Sequence, residues 1–119
     1  MPLIHPTAIV HDSAELAADV HIGACCVIGP NVVIGSGCEI MDHVHIKCNT
    51  TMGADNRVHP FAAIGGDPQD RKFKGESTSL RIGDRNEIRE HATLHRGTDN
   101  GGGETIVGSD CLIMVGSHV

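Results

Sequence analysis

Nine histidines give this chain its most versatile chemistry: His5, His11, His21, His43, His45, His59, His91, His95 and His118. An imidazole titrates close to neutral pH, so it suits a general base. Three imidazoles together make a zinc site. For a metal, the candidate ligands are His43 with His45, two residues apart, and His91 with His95. A second source of chemistry is the polar segment from Ile64 to Thr78, where Gln69, Asp70 and Lys72 put an amide, a carboxylate and a cation almost side by side. Further on lie Ile82-Gly83-Asp84-Arg85-Asn86-Glu87-Ile88-Arg89-Glu90, then His95-Arg96-Gly97-Thr98, then Gly101-Gly102-Gly103.

The elements that must carry these groups follow from one periodicity. Aliphatic residues recur at every sixth position, as Ile4, Val10, Leu16, Ile22, Ile28, Ile34, Ile40, Ile46, Met52, Val58 and Ile64. A period of six fits neither an α-helix nor a hairpin meander. It fits the hexapeptide repeat of a parallel β-helix, in which three six-residue sides close one triangular turn of 18 residues. Turns stack at about the 4.8 Å strand spacing. If the aliphatic position is i, position i−2 shares its inward face and i−1 points out. Position i−2 is usually small, as in Ala8, Val20, Cys26 and Cys38. Position i+1 is often glycine (Gly23, Gly29, Gly35, Gly53, Gly65), which is expected to serve the corner dihedrals. On this register His21, His45 and His118 point outward and His5, His11, His59 and His95 sit at corners, so none of these faces the core. Most of the nine read as surface residues, but outward groups on a prism can meet a neighbouring subunit.

The repeat lapses twice. Loops are expected to project at about 66–81 and 99–106, with the coil resuming at Ile82 and again at Val107. Long loops on a rigid repeat scaffold tend to carry function. The fold class is therefore all-β, a parallel β-helix forming one domain over 1–119. No capping segment follows Val119, so the coil is expected to be interrupted there.

Composition narrows the function classes. Aromatics are only 2% of the 119 residues, which suits a narrow core of stacked Ile and Val. The net charge is −6, and Arg81, Arg85 and Arg89 alternate with Asp84, Glu87 and Glu90, so no basic patch offers itself to nucleic acid. No apolar run approaches the roughly 18 residues of a membrane span, and the first residues do not read as a signal peptide. The five cysteines have no C-x-x-C pair. Cys26, Cys38 and Cys111 fall at the small position and read as reduced space-fillers in a cytoplasmic protein.

In order and spacing, the quoted loop motifs closely resemble the UDP-N-acetylglucosamine O-acyltransferase family of lipid A biosynthesis. That family carries I-G-x-x-x-Q-D-x-K-x-x-G-E-x-T, then I-G-D-R-N-x-I-R-E, then H-R-G-T and G-G-G. The hexapeptides alone are shared by many acetyltransferases, whereas the Q-D-x-K, I-R-E and H-R-G-T segments are specific. The resemblance runs over essentially the whole chain.

It implies a homotrimer of left-handed β-helices with sites in the clefts between subunits and no cofactor. It implies transfer of a 3-hydroxyacyl chain from acyl carrier protein to the glucosamine 3-hydroxyl of UDP-N-acetylglucosamine, with a histidine as general base. Gln69, Asp70 and Lys72 then correspond to the substrate-contacting loop, with Asp70 hydrogen-bonding the ligand and Lys72 supplying positive charge. His95 corresponds to a further cleft residue. His118 corresponds to the first histidine of an H-x-x-H motif, a substrate contact. The second histidine, the base, would fall at position 121, beyond Val119, so the 119-residue chain is expected to be inactive alone. Two other readings use the same coil: a metalloprotein like the hexapeptide-repeat carbonic anhydrases, and a non-catalytic trimerising scaffold.

Overall fold

The computed structural model describes residues 2–67, 78–98 and 103–119. Gln69, Asp70 and Lys72 lie outside the described residues. The chain winds through three parallel sheets, each forming one side of a prism. The first stacks Leu3–Ile4 (β1), His21–Ile22 (β4), Glu39–Ile40 (β7), Arg57–Val58 (β10), Glu87–Ile88 (β13) and Leu112–Ile113 (β16). The second stacks Ile9–Val10 (β2), Val27–Ile28 (β5), His45–Ile46 (β8), Ala63–Gly66 (β11) and Thr93–His95 (β14). The third stacks Glu15–Leu16 (β3), Val32–Ile34 (β6), Thr50–Met52 (β9), Ser79–Ile82 (β12) and Glu104–Val107 (β15). Each strand pairs with the strand one coil away, so Leu3 faces His21 and Ile22 faces Ile40.

The repeat places its aliphatic column inside. Ile22, Ile28, Ile34, Ile40, Ile46, Met52, Val58, Ile64, Ile82, Ile88 and Leu94 are all buried. Each such side chain contributes about 1.5–3 kcal/mol by leaving water. The first coil differs: Ile4 remains 38% exposed, because no coil packs below it.

Two sequence expectations are corrected by this geometry. Glycine at i+1 does not serve the corner dihedral. The left-handed residues fall instead at i+3: Cys25, Asn31, His43, Asn49, Asp55, Phe61, Arg85, His91 and Asp110 all have φ between 50° and 67°. The i+1 glycines answer close stacking instead, since a Cβ on Gly35 would lie 2.6 Å from the Gly53 carbonyl oxygen. Gly65 is the exception among them, with φ +77°.

The loops are also shorter than expected. Gly66 already belongs to β11, and Ser79–Arg81 belong to β12, so the interruption expected at 66–81 is confined to the stretch between them. The coil re-enters early because Leu80 occupies the inward i−2 place opposite Thr50, a place the sequence pattern reserves for small residues. Likewise β15 begins at Glu104, inside the loop expected at 99–106. The register gives the insertions their size. Arg57 pairs with Glu87 and Glu87 with Leu112, offsets that exceed the 18-residue coil by twelve and seven residues.

Candidate functional site

The site residues that are described gather at one corner, where the second sheet meets the first long insertion. The sequence makes the corner in a particular way. Ala63 and Ile64 pair with Thr93 and Leu94, but His95 pairs with Gly66, leaving Gly65 as an extra residue in β11. This bulge turns the chain outward at Asp67. Only glycine suits the position, because φ is positive and a Cβ would collide with the Thr50 hydroxyl.

Asp67 is the hub. Its carboxylate accepts a hydrogen bond from Lys47 Nζ at 3.0 Å and pairs closely with the Arg96 guanidinium. Lys47 foremost, and Arg96 after it, hold the Asp67 carboxyl below the usual carboxylate range, against an opposing push from desolvation. Arg96 is only 6% exposed, and its Nε donates to the Gly65 carbonyl at 3.1 Å while its backbone N–H donates to Gly66. Arg96 therefore ties the bulge to the coil above it. Gly97 follows because a Cβ there would lie 2.4 Å from the Glu104 backbone nitrogen, leaving no room for a side chain.

His95 and His118 share this corner. The Asp67 carbonyl accepts a hydrogen bond from His95 Nδ1 at 2.9 Å. His95 Nε2 lies 3.2 Å from the Thr93 hydroxyl, and the same hydroxyl lies 2.6 Å from His118 Nδ1. His118 stands one rung above Thr93, joined to it by a parallel bridge. Thus Lys47, Asp67, His95, Arg96, Thr93 and His118 form one connected network, and Asp67 precedes Gln69 by two residues in the chain.

Sequence reasoning selected His95 and His118 but missed Arg96, Asp67 and Thr93. Arg96 had a readable signal, a charged residue two places after the inward Leu94 and so on the same face of the strand. Asp67 and Thr93 had none, since their roles depend on partners about 30 and 25 residues away in sequence.

The other histidines are deployed differently. His43 and His91 stack on either side of Phe61, with ring centroids 5.2 and 5.5 Å apart and planes nearly parallel. These three residues occupy the left-handed corner place of successive coils. His59 Nε2 lies 2.9 Å from Glu87, whose carboxyl it holds below the usual range. Among the described residues, no three His, Cys, Asp or Glu side chains are grouped to hold a metal ion. A groove of about 610 Å³, lined by Leu3, Ile22, Ile40 and Met41, lies on the first coils, away from the His95 corner.

The interior carries one polar column. At the i−2 place of the first sheet stand Val20, Cys38, Asn56 and Asn86. Asn56 Nδ2 donates to the Gly83 and Gly53 carbonyls at 2.8 and 3.2 Å, and its Oδ1 accepts from the Asn86 N–H at 2.9 Å. Asn86 repeats the pattern toward Gly108 and Cys111. The ladder stitches together the coils between which the chain is interrupted.

The repeat, the three-sided stack and the loop-bearing corner define a hexapeptide-repeat parallel β-helix protein. No family model matches the chain. Solved structures do. LpxA from Acinetobacter baumannii aligns at 48% identity and a TM-score of 0.97, over 98% of this chain and 45% of that one. UDP-N-acetylglucosamine O-acyltransferase (LpxA) from Moraxella catarrhalis gives 46% and 0.96, over 98% and 45%. The Francisella novicida UDP-N-acetylglucosamine acyltransferase gives 46% and 0.96, over 98% and 43%. The chain belongs to the UDP-N-acetylglucosamine acyltransferase family and shares its left-handed β-helix. It spans a little under half the length of these relatives.

Proposed function

We propose that this chain forms part of the β-helix of an acyltransferase that moves a 3-hydroxyacyl group from acyl carrier protein to the glucosamine 3-hydroxyl of UDP-N-acetylglucosamine, the first step of lipid A biosynthesis. The observation that carries the reading is the connected corner of Asp67, His95, Thr93 and His118, whose Asp67 stands two residues before Gln69 of the Q-D-x-K segment in sequence, in a chain 44–48% identical to proteins named for this activity.

The chemistry is consistent. His95 and His118 offer ring nitrogens on adjacent rungs, suited to the hydroxyl and amide groups of an N-acetyl sugar. Lys47 and Arg96 are both engaged by Asp67. The family resemblance assigns positive charge for an anionic ligand to Lys72, with Gln69 and Asp70 as substrate contacts. The base that deprotonates the acceptor hydroxyl is assigned to a histidine past Val119. A homotrimer would bring a second chain's residues to this corner. The reaction belongs in the cytoplasm, where acyl carrier protein and sugar nucleotides meet.

The test is acyl transfer from 3-hydroxyacyl carrier protein to UDP-N-acetylglucosamine, run with the 119-residue chain and with a chain extended past position 121. Turnover only in the extended chain supports the reading, and Asp70→Ala or His95→Ala should then raise KM. Turnover by the short chain would remove the assigned base. Absence of turnover in both would end the acyltransferase reading.

A further inference from the structure

We infer that Thr93 is a positioning residue that fixes the ring tautomers of both His95 and His118, and so presents His118 Nε2 as a bare acceptor for a hydroxyl or amide N–H of the ligand. One group in the network has no choice of role. The Asp67 carbonyl oxygen can only accept, so the proton of the His95 ring sits on Nδ1, which donates to it at 2.9 Å. A neutral His95 then has a lone pair on Nε2. The group 3.2 Å from that lone pair is the Thr93 hydroxyl, which must donate.

A hydroxyl has one proton to give. Once it is directed at His95, the Thr93 oxygen can only accept at its second contact, 2.6 Å away at His118 Nδ1. That places the His118 proton on Nδ1 and leaves Nε2 unprotonated. The chain of donation therefore runs one way, from His118 through Thr93 and His95 to the Asp67 carbonyl. His118 stands at an outward place of the repeat and is exposed, so its bare Nε2 is available to a ligand.

The arrangement depends on the fold at each step. The bulge at Gly65 sets Asp67 opposite His95, and Lys47 and Arg96 hold Asp67 in place through its carboxylate. The parallel bridge from Thr93 to His118 sets the second ring one rung above the hydroxyl. Threonine fits the place because it is β-branched, favouring the strand, and carries the hydroxyl as well. The selectivity this produces is chemical. A ligand group that donates is accepted at His118, and one that can only accept meets a lone pair.

The identity of the ligand rests on the proposed function, whereas the tautomers do not. The experiment is therefore a two-bond ¹H–¹⁵N correlation spectrum of the ¹⁵N-labelled chain at about pH 8.5, above the range in which imidazoles ordinarily titrate. The expected result is Nδ1–H for both His95 and His118. Thr93→Val, nearly isosteric, should release His118 toward the Nε2–H form while His95 keeps Nδ1–H on Asp67. Thr93→Ser should restore the wild-type pattern. A wild-type His118 carrying its proton on Nε2, or a pattern unmoved by Thr93→Val, overturns the inference; the wild-type spectrum decides even where the valine variant does not fold. Adding UDP-N-acetylglucosamine in the same samples separates the two claims. Binding about 5- to 10-fold weaker in Thr93→Val, and within about 2-fold of wild type in Thr93→Ser, supports the acceptor role. A chain extended past position 121 that shows the expected tautomers but ignores the sugar nucleotide overturns the acceptor role and leaves the tautomer assignment standing, whereas the proposed function falls separately, on absence of acyl transfer by that extended chain.

Discussion

Replacing Asn56 by valine tests whether the buried amide ladder holds the interrupted coils together. Valine occupies the same inward column at Val20, so the shape is one this prism already accommodates. The loss is in hydrogen bonds. The Asn86 N–H and the Gly83 carbonyl each have Asn56 as their side-chain partner, at 2.9 and 2.8 Å. The Gly53 carbonyl keeps a second donor, the Cys38 thiol at 3.0 Å. Two buried groups left without partners cost about 1–3 kcal/mol each, and the added apolar surface of valine returns about 1 kcal/mol. The net expectation is a loss of about 3 kcal/mol, or roughly 12 °C in Tm for a chain of this size. Urea denaturation followed by circular dichroism measures the total. Amide exchange measures the cause, because the Asn86 N–H should become one of the faster-exchanging interior amides. Cys38→Val, one coil away in the same column, serves as the control and should cost under about 1 kcal/mol. A loss below about 1 kcal/mol for Asn56→Val, or an Asn86 amide as protected as before, would refute the ladder as a stabilising element.

Gly65→Ala should destabilise by about 3 kcal/mol and loosen Arg96, since it combines a φ of +77° with a collision against Thr50; thermal melting checks it. Asp67→Asn should cost about 1 kcal/mol at neutral pH, because the carboxylate is half exposed and solvent screens it. The same variant should flatten the acid limb of stability. The folded Asp67 carboxyl lies below its ordinary value, so its contribution is present above the ordinary carboxylate range and is lost as pH falls through the depressed value. Melting at about pH 7 and about pH 3 should show a smaller difference in Asp67→Asn than in the wild type. Phe61→Ala removes both stacked histidine contacts from a ring already 54% exposed, so about 1 kcal/mol should be lost, read by the same melts.

The sequence by itself determined the prism. Its aliphatic period of six survives in the buried column from Ile22 to Leu94, because strand alternation and a constant side length leave one inward register. It also marked His95 and His118, whose motif neighbours are close in sequence. The tertiary structure alone decided what those residues are connected to. Asn56 and Asn86 look like breaks in a small-residue column until the coils stack and their amides meet the carbonyls of the next coil. Leu80 looks like part of a loop until it faces Thr50 across the stack. Glycines at i+1 look like corner residues until the carbonyl of the coil above is seen against them, and the left-handed corner falls two places later. Thr93, Asp67 and Arg96 join His95 and His118 only through contacts made across coils. The physical reason is common to all four: a repeat encodes each residue's direction locally, but its partner lies a whole coil away, and the length of each insertion decides which residue that is.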